Sequence, residues 1–176
     1  MTLGDCRVDG CRVSNARAVE LVVAVALAGG SAPRDWLISQ LFEKDPAPSS
    51  LPTLAMRARN LGLGITYSAD RHAYSLQSPV ECDIIDLFDH VKTGDLAKAL
   101  DLYRGPFMPR SHSPFATELR ASAESLVADA VATNGDPVLL RTADRLIKHP
   151  AISRLIVSLG TDPIATALSR SWLLGL

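Results

Sequence analysis

Residues 52–76 read PTLAMRARNLGLGITYSADRHAYSL, and this stretch decides the fold because a helical pattern gives way to a strand pattern within it. Pro52 suits the first turn of a helix, where its missing N–H has no partner to lose. Gly62 can end the helix ten residues later. Apolar side chains at helical spacing predict one buried stripe between these two points, formed by Leu54, Ala58 and Leu61.

Two short strands follow the predicted helix. Residues 64–68 and 73–76 alternate and contain β-branched or aromatic side chains, and residues 69–72 between them predict a turn with a basic tip. Three polar residues of the helix, Thr53, Arg57 and Asn60, share a face at i, i+4 and i+7, with Arg59 at its flank. The stretch therefore predicts a helix with a polar outer face, followed by a β-hairpin.

A second hairpin is predicted near the start of the chain. Asp9-Gly10 supplies the two positive-φ positions of a type I′ turn, and the residues on either side alternate. In this register Val8 pairs with Cys11, and Cys6 pairs with Val13. Arg7 and Arg12 then lie together on the other face, where two like charges need solvent or an anionic partner.

Two further helices are predicted between the hairpins. Residues 16–28 are almost all apolar, which predicts a buried helix that ends at Gly29-Gly30. Ser31-Ala32-Pro33 is interpreted as the start of the next helix, which ends before the proline-containing loop at 45–50.

The strand patterns stop after Ser78-Pro79, and only helical patterns follow. Helices are predicted at 84–92, 96–104, 114–133, 138–148, 151–159 and 164–174, with glycine and aspartate-proline pairs between them. The first two are predicted to form an antiparallel pair, which is the unit of helical repeat proteins. The sequence therefore predicts an α+β protein with one domain at 1–78 and an all-α domain at 79–176.

Composition limits the function classes. The chain has 176 residues and a formal net charge of -1, so the whole molecule offers a nucleic acid no long-range attraction. The three cysteines, Cys6, Cys11 and Cys82, form no C-x-x-C pair and are interpreted as reduced core residues. Because the four histidines are scattered and no nucleophile, metal or phosphate motif is present, we expect neither an enzyme nor a metal or cofactor site.

The apolar segment at 18–28 does not predict a membrane span. It contains Glu20 and is shorter than the roughly 20 residues that cross a bilayer. It also begins too late to be the core of a signal peptide, so the chain is expected in the cytoplasm.

Several segments, in order along the chain, resemble one family of regulators. Residues 37–46 are similar to the second helix of a response-regulator-type winged helix, with Phe42 where tryptophan is usual, and residues 73–76 resemble the end of its wing. Residues 94–109, with Glu118-Leu119-Arg120, closely resemble the first repeat of a bacterial transcriptional activator domain. The Pro109-Arg110-Ser111 loop and the Asn-Gly-Asp-Pro turn at 134–137 resemble the C-terminal part of actinobacterial regulators that carry a GAF-like sensor.

The resemblance implies a winged helix-turn-helix domain followed by a tetratricopeptide-like helical domain. It implies a transcriptional regulator whose helix at 52–61 reads the major groove of double-stranded DNA, with Arg57 and Asn60 at base edges. The wing at 69–72 would grip the backbone, and the phosphate contacts would be Thr53, Arg59, Arg71 and His72. The third helix carries only Arg57 and Arg59, where the family is richer in arginine.

Two readings of the partners stay open. In the first the chain binds DNA, as a homodimer or within a larger assembly. In the second the winged helix has lost DNA affinity, and the chain is a protein–protein interaction module that binds RNA polymerase or another regulator. Tyr103, Phe107 and Met108 are interpreted as residues that seal the helical pair rather than as a partner-binding patch.

Overall fold

The computed structural model describes all 176 residues, and the protein is of the α+β class. Nine helices and five short strands form two compact units, one of residues 1–85 with 107–120 and one of residues 86–106 with 121–176. The helices are α1 (Ala16–Leu27), α2 (Arg34–Leu41), α3 (Ser50–Asn60), α4 (Asp83–Thr93), α5 (Leu96–Leu102), α6 (Pro114–Asn134), α7 (Pro137–Leu146), α8 (Pro150–Leu159) and α9 (Pro163–Leu173). The strands are β1 (Arg7–Val8), β2 (Cys11–Arg12), β3 (Ser31–Pro33), β4 (Ile65–Ser68) and β5 (Ala73–Leu76).

The first unit takes in residues 107–120, which the sequence pattern alone assigns to the second domain. The functional division into 1–78 and 79–176 stays a prediction.

The N-terminal hairpin forms in the predicted register. Asp9 and Gly10 have φ angles of 48° and 77°, Val8 pairs with Cys11, and the Val13 N–H donates to the Cys6 carbonyl over 3.0 Å. Arg7 and Arg12 both form ion pairs with Asp5, at 3.4 Å each. Asp5 therefore supplies an anionic partner for both arginines, which are also partly exposed to solvent.

Helix α1 is the centre of the first unit. Every residue from Ala18 to Val25 is buried, including Glu20. The helix ends where predicted, because Gly29 and Gly30 adopt φ angles of 82° and 88°. Helix α3 and strand β5 both pack against it.

The predicted helix start at Ser31-Ala32-Pro33 is wrong, since these residues form β3. Their backbone pairs antiparallel with β5, Ala32 opposite Tyr74, so the three-stranded sheet has the order β3-β5-β4. Proline is tolerated because it lies at the strand end, and α2 begins only at Arg34. The pairing joins residues about 40 positions apart, which no local pattern reveals.

The second unit is all helical. Helices α8 and α9 have the most extensive contact with each other, and α7 contacts both α5 and α8. Aspartates cap these helices as predicted: the carboxylate of Asp136 accepts from Val138 N–H, and that of Asp162 accepts from Ile164 N–H. No helix of the chain combines the length and the apolar character needed to cross a membrane.

Burial excludes a surface patch at one predicted place and corrects the interpretation of one cysteine. Tyr103, Phe107 and Met108 are all buried and offer no surface patch. Cys6 and Cys82 are buried as expected, but Cys11, which directly follows the turn at the tip of the hairpin, is exposed.

Candidate nucleic-acid interface

Helix α3 turns one side inward and the other outward. Leu51, Leu54, Ala55 and Ala58 are buried, whereas Arg57 and Asn60 are exposed and Thr53 is half-buried. The outer face is therefore mainly polar, although it also exposes Met56, and a major groove is wide enough to admit an α-helix.

The two arginines of α3 have different surroundings. Arg57 forms no hydrogen bond through its guanidinium and has no carboxylate within 4 Å. Arg59 donates from Nη1 to the Ile65 carbonyl over 3.0 Å and so ties the end of α3 to β4. Arg57 is thus free to bind a ligand, while Arg59 keeps its other N–H donors for one.

The turn between β4 and β5 carries the other two predicted residues, Arg71 and His72, both exposed. His72 has a φ angle of 47°, and its Nδ1 lies 3.3 Å from the Tyr67 hydroxyl. Its carbonyl accepts from the Arg34 N–H over 2.8 Å. These contacts fix the backbone of the turn. The guanidinium of Arg71 takes part in none of them and has no carboxylate within 4 Å.

The segment that forms α3 and β4 is positively charged although the net charge of the chain is -1. No acidic residue occurs from Pro46 to Ala69, a span that includes all of α3 and β4. Asp70, beside Arg71, is the first carboxylate after it. Helix α3 and strand β4 therefore contribute arginines and no carboxylate of their own to this surface.

Arg57 also faces a cleft that the sequence did not predict. The cleft has a volume of about 920 Å³ and lies among the first hairpin, the start of α1, α3 and the loop at 108–111. Four of its lining residues are arginines and one is acidic; these charged residues are Arg12, Arg17, Arg57, Arg110 and Asp5. The sequence does not predict this cleft, because the four arginines come from four separate segments, of which only Pro109-Arg110-Ser111 carries part of the family resemblance.

A buried carboxylate, that of Glu20, binds two of the residues that line this cleft, Arg17 and Ser111. Glu20 is fully buried and accepts hydrogen bonds from Ser111 Oγ at 2.8 Å and from Ser113 Oγ, and Arg17 Nη1 donates to it over 2.9 Å. Arg120 adds three bonds, to the carbonyls of Phe107, Met108 and Ser111. The loop that carries Arg110 is therefore fixed from both sides.

The structure does not gather the histidines into a site, and no group of three or more His, Cys, Asp or Glu side chains lies close enough to hold a metal ion.

No protein-family model and no curated protein matches this chain.

Proposed function

We propose that this chain is a transcriptional regulator that binds double-stranded DNA through α3 and the β4–β5 turn. The observation that carries the proposal is the outer face of α3, where Arg57 is exposed and unpaired one turn from the exposed Asn60. Three helices followed by a hairpin are also the order on which the resemblance to a winged helix-turn-helix rests.

In this proposal α3 enters the major groove. The Arg57 guanidinium donates two parallel hydrogen bonds to guanine O6 and N7, and the Asn60 amide pairs with adenine N6 and N7. Thr53, Arg59, Arg71 and His72 contact phosphates, which fix the register without reading sequence. The helical second unit, proposed to be tetratricopeptide-like, serves assembly with another regulator or with RNA polymerase in the cytoplasm.

The experiment measures the affinity of the chain for mixed genomic DNA fragments at several salt concentrations. The assay is then repeated on a defined site selected from those fragments. If Arg59 and Arg71 are the two charged phosphate contacts, DNA affinity should depend only weakly on salt, with a slope of log affinity against log salt concentration of about -2. Arg57→Ala should cost about 1–3 kcal/mol at the selected site and relax its specificity at one base.

Arg154→Ala is the matched control, because Arg154 is exposed, unpaired and located on α8. Equal affinity of the two variants would remove α3 from the interface.

A second candidate function, a protein interaction module that does not bind DNA, is favoured by one observation. Helix α9 and the residues after it expose large apolar side chains: Ile164 is 74% exposed, Leu168 62% and Leu174 84%. Surfaces of this kind mark protein contacts. No DNA binding even at low salt, with retained binding to RNA polymerase or a regulator, would support this function instead.

A further inference from the structure

We propose that the arginine cleft of the first unit binds a small organic molecule that carries a phosphate or pyrophosphate group. The cleft is the space lined by Arg12, Arg17, Arg57 and Arg110.

The charges of the cleft are only partly balanced. Arg12 pairs with Asp5, and Arg17 pairs with Glu20. Arg57 and Arg110 have no acidic partner within 4 Å, so two positive charges face one cavity without compensation. These two like charges repel each other, and a divalent anion bound between them would be attracted by both.

Guanidinium chemistry favours phosphate in this position. Each planar guanidinium can donate two parallel hydrogen bonds to phosphate oxygens, and a phosphate has enough acceptors to engage more than one arginine. The first turn of α1 lines the same cleft, contains no acidic residue, and has no side-chain cap on its backbone N–H groups. Those groups add positive potential to a site that the arginines define.

The size and the remaining lining indicate more than an inorganic ion. A volume of about 920 Å³ falls near the upper end of the range for small-molecule sites. Val13, Met108 and Pro109 supply apolar wall beside the arginines. A molecule with a charged phosphate end and a less polar body fits both parts of the lining.

The site is built before any ligand arrives. Met108 adopts a φ angle of 38° and its N–H donates to the Thr2 carbonyl over 3.0 Å, while Arg120 holds the carbonyls of the same loop. Arg110 is therefore presented from a fixed loop, which lowers the ordering cost of binding.

Arg57 belongs both to this cleft and to the outer face of α3. A phosphate ligand that engages Arg57 would therefore compete with DNA, a consequence that rests on the proposed function. The cleft itself does not depend on it.

The test is calorimetric titration of the full chain with sodium pyrophosphate at constant ionic strength. We expect saturable one-to-one binding, an affinity loss of about tenfold for Arg110→Ala, and an affinity within about twofold of wild type for Arg154→Ala. Titration with sodium chloride at the same ionic strength should give no saturable heat. Absence of saturable pyrophosphate binding, or equal effects of the two substitutions, would overturn the proposal.

A second arm measures DNA affinity with and without pyrophosphate. Competition in wild type that weakens in Arg110→Ala supports both the cleft and the shared arginine. Saturable pyrophosphate binding by a protein that binds no DNA keeps the cleft and refutes the proposed function. If Arg110→Ala loses DNA affinity and the wild-type protein binds no pyrophosphate, the cleft binds the DNA backbone and the small-molecule assignment is overturned.

Discussion

Replacing Glu20 by alanine should destabilise the first unit more than any surface substitution. The carboxylate is fully buried, and it accepts from Ser111, Ser113 and Arg17. Without it two buried hydroxyls lose their acceptor, and Arg17 loses its ion pair. Breaking a buried charged network by removing one member costs about 3–5 kcal/mol. Glu20→Gln keeps one acceptor oxygen and the side-chain volume, so it should cost about 1.5–3 kcal/mol.

The assay is urea unfolding in a Trp172→Phe background. Trp36 on α2 is then the only tryptophan, and its fluorescence follows the first unit. With an m value of about 2 kcal/mol/M, Glu20→Ala should lower the midpoint by about 2 M urea.

A double-mutant cycle separates the hydrogen bonds from simple loss of packing. Ser111→Ala with Ser113→Ala removes the donors, so adding Glu20→Ala to that variant should cost about 1–3 kcal/mol less than it costs in wild type. Additive effects, or a cost of Glu20→Ala below about 1 kcal/mol, would refute the buried network as the link between α1 and the loop.

Three further outcomes can be measured directly. Asp144→Ala should lower the free energy of unfolding of the second unit by about 2–4 kcal/mol, because its buried carboxylate accepts from Ser153 Oγ at 2.8 Å; chemical denaturation followed at Trp172 in a Trp36→Phe background measures this. A thiol reagent at pH 8 should label exposed Cys11 quickly and buried Cys6 only after unfolding, since burial raises the pKa of the Cys6 thiol to about 11; mass spectrometry gives the sites. Gly94→Ala should lower Tm, at a cost of about 1–2 kcal/mol, because Gly94 has a φ angle of 78° that L residues resist; Gly175→Ala, near the end of the chain and without a positive φ, is the control.

Most helix ends follow from short-range chemistry, which explains why the sequence predicts them within one to three residues. Asp95, Asp136 and Asp162 each accept a backbone N–H two or three residues ahead, so their effect is visible in the sequence itself. The Asp9-Gly10 turn is local in the same sense, because two positive φ angles determine the pairing on either side.

Features that depend on distant residues could not be predicted. Strand β3 exists because Ala32 meets Tyr74, and three residues are too few to show alternation. Glu20 falls within an apolar run, and the two serine hydroxyls that donate to it lie 91 and 93 residues away. The exposed face of α3 was predictable from spacing alone, whereas the cleft beside it needs Arg57 and Arg110 brought together by the fold.

Arg17 connects the cleft to the helix that precedes α3. Its guanidinium binds Glu20, donates to the Leu41 carbonyl at the end of α2, and lies 5.4 Å from the centre of the Phe42 ring. An anion that draws Arg17 into the cleft must therefore weaken contacts at the α2 terminus, while Arg57 is engaged directly. Thermodynamic linkage then requires that the two effects be equal. If saturating pyrophosphate lowers the DNA affinity by a given factor, saturating DNA must lower the pyrophosphate affinity by the same factor. Unequal factors would show that the anion acts by ionic screening and not by binding to the protein, because this reciprocity holds for any two ligands that bind one protein.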